Sequence, residues 1–183
     1  MKTSFDPRRL DVAAFCRAEG QIEGDAPLSA FKRLAEGAEA ESGSRAVNWR
    51  VQGESPLAPG GARLVRLHVV ADADVDLTCQ RCLEPMVASL QVDRWFRFVA
   101  DEATAARLDE TSDDDVLVMD RAFDLLSLIE DELLLEWPSV PRHPDCRPPN
   151  PNDRPLPSPE IDEKPPVPGS FAKLARLRSG NAG

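Results

Sequence analysis

Between residues 46 and 99, apolar side chains tend to recur at every second position, and this period constrains the fold more than any other feature. Val47, Trp49 and Val51 alternate with polar residues, and Leu64, Leu67 and Val69 continue the pattern less regularly. Val75 and Leu77 follow. After a short break, Val92, Arg94, Phe96 and Phe98 share one face. A period of two is the signature of a strand with one buried side. The SPLAPGG stretch at 55–61 suits a connection between two such strands. An antiparallel sheet, curled or barrel-like, is therefore expected. The period then changes to that of a helix. Phe123, Leu126, Ile129 and Leu133 recur at helical spacing, and Trp137-Pro138 stops the run. This predicts a long packed helix near 123–136, with Glu130, Asp131 and Glu132 near its outer side. Residues 100–115 read as an acidic loop, and DVLVMD at 115–120 as a short strand.

Short N-terminal helices are expected within 6–20 and 27–37. Asp6 or Ser29 can cap them, and Gly20 or Gly37 can end them. The fold class is α+β, in a single domain covering residues 1–137. Beyond it the composition changes. Residues 138–168 are dense in proline and poor in large apolar residues, which predicts an extended or disordered tether. Residues 169–183 carry Phe171, Leu174 and Leu177 at helical spacing beside Lys173, Arg176 and Arg178, a short basic amphipathic tail.

The net charge of −10 is not spread evenly. Residues 1–100 hold 14 acids and 13 bases, residues 101–132 hold 12 acids and 2 bases, and residues 133–183 hold 6 acids and 7 bases. Nearly all the excess lies in the middle segment, which repels nucleic acid and suits a basic partner, or simply forms a solvated face. The chain has no Tyr and only 3 Trp, so an aromatic base-stacking sheet is not expected. No apolar run is long enough to cross a membrane and the N-terminus lacks a signal-peptide core, so a cytoplasmic protein with no membrane partner is expected. Bases that could meet RNA or a partner fall into two groups: Arg81, Arg94 and Arg97 on the strand pair, and Lys173, Arg176 and Arg178 in the tail.

The stretch LTCQRCLEPM at 77–86 places Cys79 and Cys82 in C-x-x-C spacing at the turn between two strands. Three readings stay open. The pair closes a tight turn, or it is one half of a metal site, or it is a redox couple. The redox reading has least support, because such couples sit at helix N-termini and these flanks are strand-like. The metal reading needs two more ligands. The best pair is His143 and Cys146 in HPDC, which with Cys79 and Cys82 would make a zinc set of three thiolates and one imidazole. His68 lies within a strand-like run and reads as a strand residue. The DDDVLVMD stretch lacks the glycine and the closing glutamate of a calcium loop. There is no phosphate-binding glycine motif and no nucleophile elbow, so neither an enzyme nor a small-molecule substrate is expected.

Four segments, in order, resemble the bacterial YceD family, the large-ribosomal-RNA-subunit accumulation proteins. They are LTCQRCLEPM at 77–86, DDDVLVMD at 113–120, FDLLSLIEDELLLEWPSVPRH at 123–143 and SFAKLARLR at 170–178. The resemblance implies a role in the synthesis, processing or stability of the large-subunit 23S ribosomal RNA. It implies no catalytic residues and no established cofactor. The expected partner is precursor ribosomal RNA, or a basic ribosomal protein or assembly factor. Two alternatives remain: an adaptor that contacts only protein and, with less support, a thiol redox sensor.

Overall fold

The computed structural model describes residues 5–58 and 60–149. The elements run α1 (Val12–Arg17), β1 (Gln21–Pro27), α2 (Lys32–Gly37), β2 (Ala46–Glu54), β3 (Val65–Thr78), β4 (Pro85–Val99), α3 (Glu102–Asp109), β5 (Asp115–Val118) and α4 (Leu125–Leu135). The class is α+β, as the two periods require.

The sheet departs from the expected antiparallel, barrel-like form. Its five strands lie in chain order, and β1 to β4 pair antiparallel, but β5 runs parallel to β4. The reason is the connection. Hairpin-scale links reverse the chain, whereas α3 carries it back along the sheet so that β5 enters in the same direction as β4. The sheet is also open, because β1 and β5 stand at opposite edges and do not pair.

The inner face is built by strict alternation. On β3, Leu67, Val69, Ala71, Ala73, Val75 and Leu77 are buried, and on β4 so are Leu90, Val92, Phe96 and Phe98. Leu67, Val69, Val75 and Leu77 thus belong to one strand of 14 residues. Their apparent separation comes from the small size of Ala71 and Ala73, which keep the period but not the bulk. Helices α1, α2 and α4 cover this face with Phe15, Leu34, Leu125, Ile129 and Leu133, all fully buried. Each such side chain contributes about 1.5–3 kcal/mol of transfer free energy.

Two elements escaped the reading of the sequence. β1 alternates Ile22, Gly24 and Ala26, which are only half-buried against β2. α3 lies where a loop was expected. It is capped by Asp101, whose carboxylate accepts the Thr104 N–H, and it buries only Ala105, so it carries little helical apolar period.

The acids of α4 also differ from expectation. Glu130 and Glu132 are buried rather than outward. Glu130 Oε1 accepts the backbone N–H groups of Arg33 and Leu34 at 2.7 and 3.3 Å, so it caps the start of α2 from another helix. Its Oε2 meets Arg33 Nη2 at 3.0 Å, and Asp131 takes the same guanidinium. Glu132 Oε2 lies 3.2 Å from Arg94 Nε, but off the donor direction, so it accepts no hydrogen bond. Arg94 also reaches Glu136 at 3.3 Å and Asp115 at 3.5 Å.

Candidate metal centre

The β3–β4 hairpin ends in a tight knuckle. The Cys79 N–H donates to the Glu84 carbonyl at 2.9 Å, and the Leu83 N–H to the Cys79 carbonyl at 2.9 Å. Leu83 holds a left-handed backbone with φ of 64°, a conformation that costs a non-glycine residue about 1 kcal/mol or more and persists only where its surroundings enforce it. Here it turns the chain so that the Cys79 and Cys82 side chains point to one side.

The segment after α4 returns to this knuckle. The Gln80 N–H donates to the Pro141 carbonyl at 2.8 Å, and Arg81 Nη1 donates to the Cys146 carbonyl at 3.0 Å. These bonds bring His143 and Cys146, more than 60 residues away in sequence, beside the C-x-x-C pair. Cys79 Sγ lies 3.6 Å from Cys146 Sγ, and Cys82 Sγ lies 3.3 Å from His143 Nδ1. The four ligand atoms all fall within 4.8 Å of one another. Cys79 is buried, and the other three residues are half-buried. Residues 138–146, read from the sequence as part of the tether, thus contribute half of the cluster.

The surrounding polar groups fit ligand duty. The His143 Nε2 lies 3.2 Å from the Pro85 carbonyl. A carbonyl can only accept, so Nε2 carries the proton and Nδ1 turns its lone pair toward the cluster. This is the arrangement by which ligating imidazoles are held in the right tautomer. Cys79 Sγ accepts the backbone N–H groups of Arg81 at 3.5 Å and His143 at 3.4 Å. Burial alone would raise the Cys79 pKa. Hydrogen bonds from the backbone of Cys82, Arg81 and His143 and from the Cys82 thiol outweigh it and bring the thiol down to about 5. Cys146 shifts upward, first through burial and then through the neighbouring Cys79 and Cys82. Several sulfurs this close resist joint ionisation unless a cation sits among them.

A family model described as large ribosomal RNA subunit accumulation protein YceD matches residues 67–178. The chain belongs to the YceD family. The matched span runs from β3 into the C-terminal region and takes in all four cluster residues. Among curated proteins, the large ribosomal RNA subunit accumulation protein YceD of Haemophilus influenzae is 36% identical over 81 residues, which is 44% of this chain and 47% of that protein. The chain thus spans about half the length of that relative. No solved structure matches.

Among the described residues, Arg81, Arg94 and Arg97 of this YceD family member do not gather on one surface. Arg81 is at the knuckle, holding the Cys146 carbonyl. Arg94 lies on the helix-covered side of β4, among Asp115, Glu132 and Glu136. Arg97 stands opposite Arg66 across the β3–β4 ladder, on the other side of the sheet from Arg94. Lys173, Arg176 and Arg178 lie outside the described residues. The Pro85 carbonyl as the partner of His143 is not legible in the sequence, because a backbone acceptor carries no residue signature.

Proposed function

We propose that this protein is a non-catalytic cytoplasmic factor that supports the synthesis, processing or stability of large-subunit 23S ribosomal RNA, and that Cys79, Cys82, His143 and Cys146 hold one zinc ion as a structural clasp. Membership of the YceD family supports the first part. The geometry of the four side chains supports the second. A tetrahedral zinc with sulfur at about 2.3 Å has ligand–ligand edges of roughly 3.8 Å. The sulfur pair at 3.6 Å is close to that edge. Three thiolates and one imidazole form a recurrent structural zinc set, and four protein ligands leave no position open for a reacting water. Zinc here would tie the segment after α4 to the hairpin tip.

The partner in this reading is a basic ribosomal protein or assembly factor, or precursor ribosomal RNA itself. Charge favours the protein. Arg33, Arg45, Arg50, Arg66 and Arg94 are each paired with acids of the same chain, which leaves them less free to neutralise phosphates. Several acids of the segment stay exposed, among them Glu102, Asp109, Glu110 and Asp113. In 101–132, Asp101, Asp120 and Asp124 hold backbone N–H groups, while Asp114, Asp115, Glu130, Asp131 and Glu132 meet arginines. A groove of about 1020 Å³ along β2, β3 and β4 adds Asp72, Asp74, Asp93 and Glu136, with Arg45 and Arg94 also at its wall. This arrangement supports the second reading, an adaptor that contacts only protein.

Sedimentation of tagged protein from cell lysate, with ribosomal RNA probed in each fraction, tests the role. Co-migration with immature large-subunit particles is expected. Recovery in light fractions alone, with unchanged 23S precursor levels after depletion, rejects it. Metal analysis of protein purified under reducing, chelator-free conditions tests the clasp, and absence of stoichiometric zinc rejects that part.

A further inference from the structure

The Cys79 and Cys146 sulfurs come from segments 67 residues apart and lie 3.6 Å from each other. Cys82 also hydrogen-bonds Cys79, but its Sγ faces the His143 ring at 3.3 Å, whereas Cys79 and Cys146 face each other at 3.6 Å. A disulfide needs a sulfur–sulfur distance of about 2.05 Å. Closing the remaining gap takes side-chain movement of roughly 1.5 Å. Cys146 and Cys82 are half-buried, so a small oxidant reaches the cluster from outside. The fourth cysteine, Cys16, is fully buried in the core and donates to the Arg66 carbonyl at 3.1 Å, out of reach of the other three.

We propose that Cys79 and Cys146 are a modification site, joined by a reversible disulfide when the protein meets a peroxide. The balance is complete with hydrogen peroxide as the two-electron oxidant. One thiol gives up its proton and its thiolate attacks the peroxide; the O–O bond breaks, a sulfenic acid forms, and the departing hydroxide takes up that proton and leaves as water. The second sulfur then attacks the sulfenic sulfur. The S–S bond forms, the S–O bond breaks, and the oxygen leaves as a second water with the proton of the second thiol. Two thiols and one peroxide give one disulfide and two waters.

The cross-link rests on the placement of the two thiols. Its consequence rests on the zinc reading above: a disulfide would take two of the four ligands, and Cys82 and His143 alone would not hold the ion. The segment after α4 then stays fastened to the hairpin tip by a covalent bond in place of the metal. Reduction by a cellular thiol, with zinc present, reverses both steps.

The test uses the full-length chain, loaded with zinc and treated with one equivalent of hydrogen peroxide. The sample is alkylated and digested with trypsin without reduction. Arg81 lies between Cys79 and Cys82, so trypsin puts them on different peptides and the pairing can be read directly. The expected result is a peptide pair joining Cys79 to Cys146, rising in step with zinc released to a chromogenic chelator and lost on reduction. Cys16 stays alkylatable once the protein is unfolded. Cys82→Ser keeps the pair, and Cys146→Ser abolishes it. A Cys79–Cys82 link, oxidised single thiols without a cross-link, or unreacted thiols would each overturn the proposal. If the purified chain holds no zinc, the clasp reading falls, and the same peptide map on metal-free protein still decides the cross-link.

Discussion

Two polar clusters tie this molecule together, and they are satisfied in opposite ways. At α4, Glu130 and Asp131 meet Arg33, while Glu132 and Glu136 meet Arg94. Every charge there has a counter-charge within the chain. At the hairpin knuckle, three thiols and an imidazole converge within 4.8 Å, and Arg81 holds the Cys146 carbonyl beside them. The first cluster is explained by folding alone. The second is held by mutual hydrogen bonds of its thiols and ring, and its ionised form is the one that a bound cation would stabilise. An acidic sequence signature can therefore be internal structure, while a sparse set of cysteines can assemble the donor set of a candidate metal site.

Glu130→Ala should produce the largest effect. It removes a cap from α2 and a partner from Arg33, and should cost about 3 kcal/mol in urea unfolding. A loss near zero would mean that the α4 cluster is a surface feature, and the contrast would collapse. Arg81→Ala comes next. It removes the donor to the Cys146 carbonyl and so loosens a ligand-bearing segment without touching a ligand. Zinc affinity by competition with a chelator should fall about 10–100-fold, while stability at saturating zinc stays unchanged. Unchanged affinity would show that the segment is held without this arginine.

Glu132→Gln should be the smallest. Burial raises the Glu132 pKa, Arg94 offsets this in part, and Asp115, Asp131 and Glu136 push it up further. A carboxyl with a raised folded-state pKa favours folding when protonated and loses that contribution as pH rises through the folded value. The variant should thus match or exceed wild-type stability at neutral pH, within about 1 kcal/mol. The gap should shrink as the wild type is acidified through the raised pKa. A variant clearly less stable at neutral pH would show that the Arg94 pair outweighs the burial of Glu132.

The sequence by itself determined the elements whose side chains alternate in bulk. The strands around Val47–Val51 and Val92–Phe98 and the helix around Ile129 follow from apolar spacing, because burial of one face is a local, periodic demand. It missed β1 and α3, whose buried residues are small or few, so their period carries little signal. It paired Cys79 and Cys82 with His143 and Cys146 from spacing alone, and the chain does bring these four together. The parallel entry of β5, the inward turn of Glu130 and Glu132, and the commitment of Arg94 to acids rather than to an outer surface are set by the folded chain. Each depends on which groups from distant segments meet, and a polar side chain satisfied by a distant partner looks, in sequence, the same as one facing water.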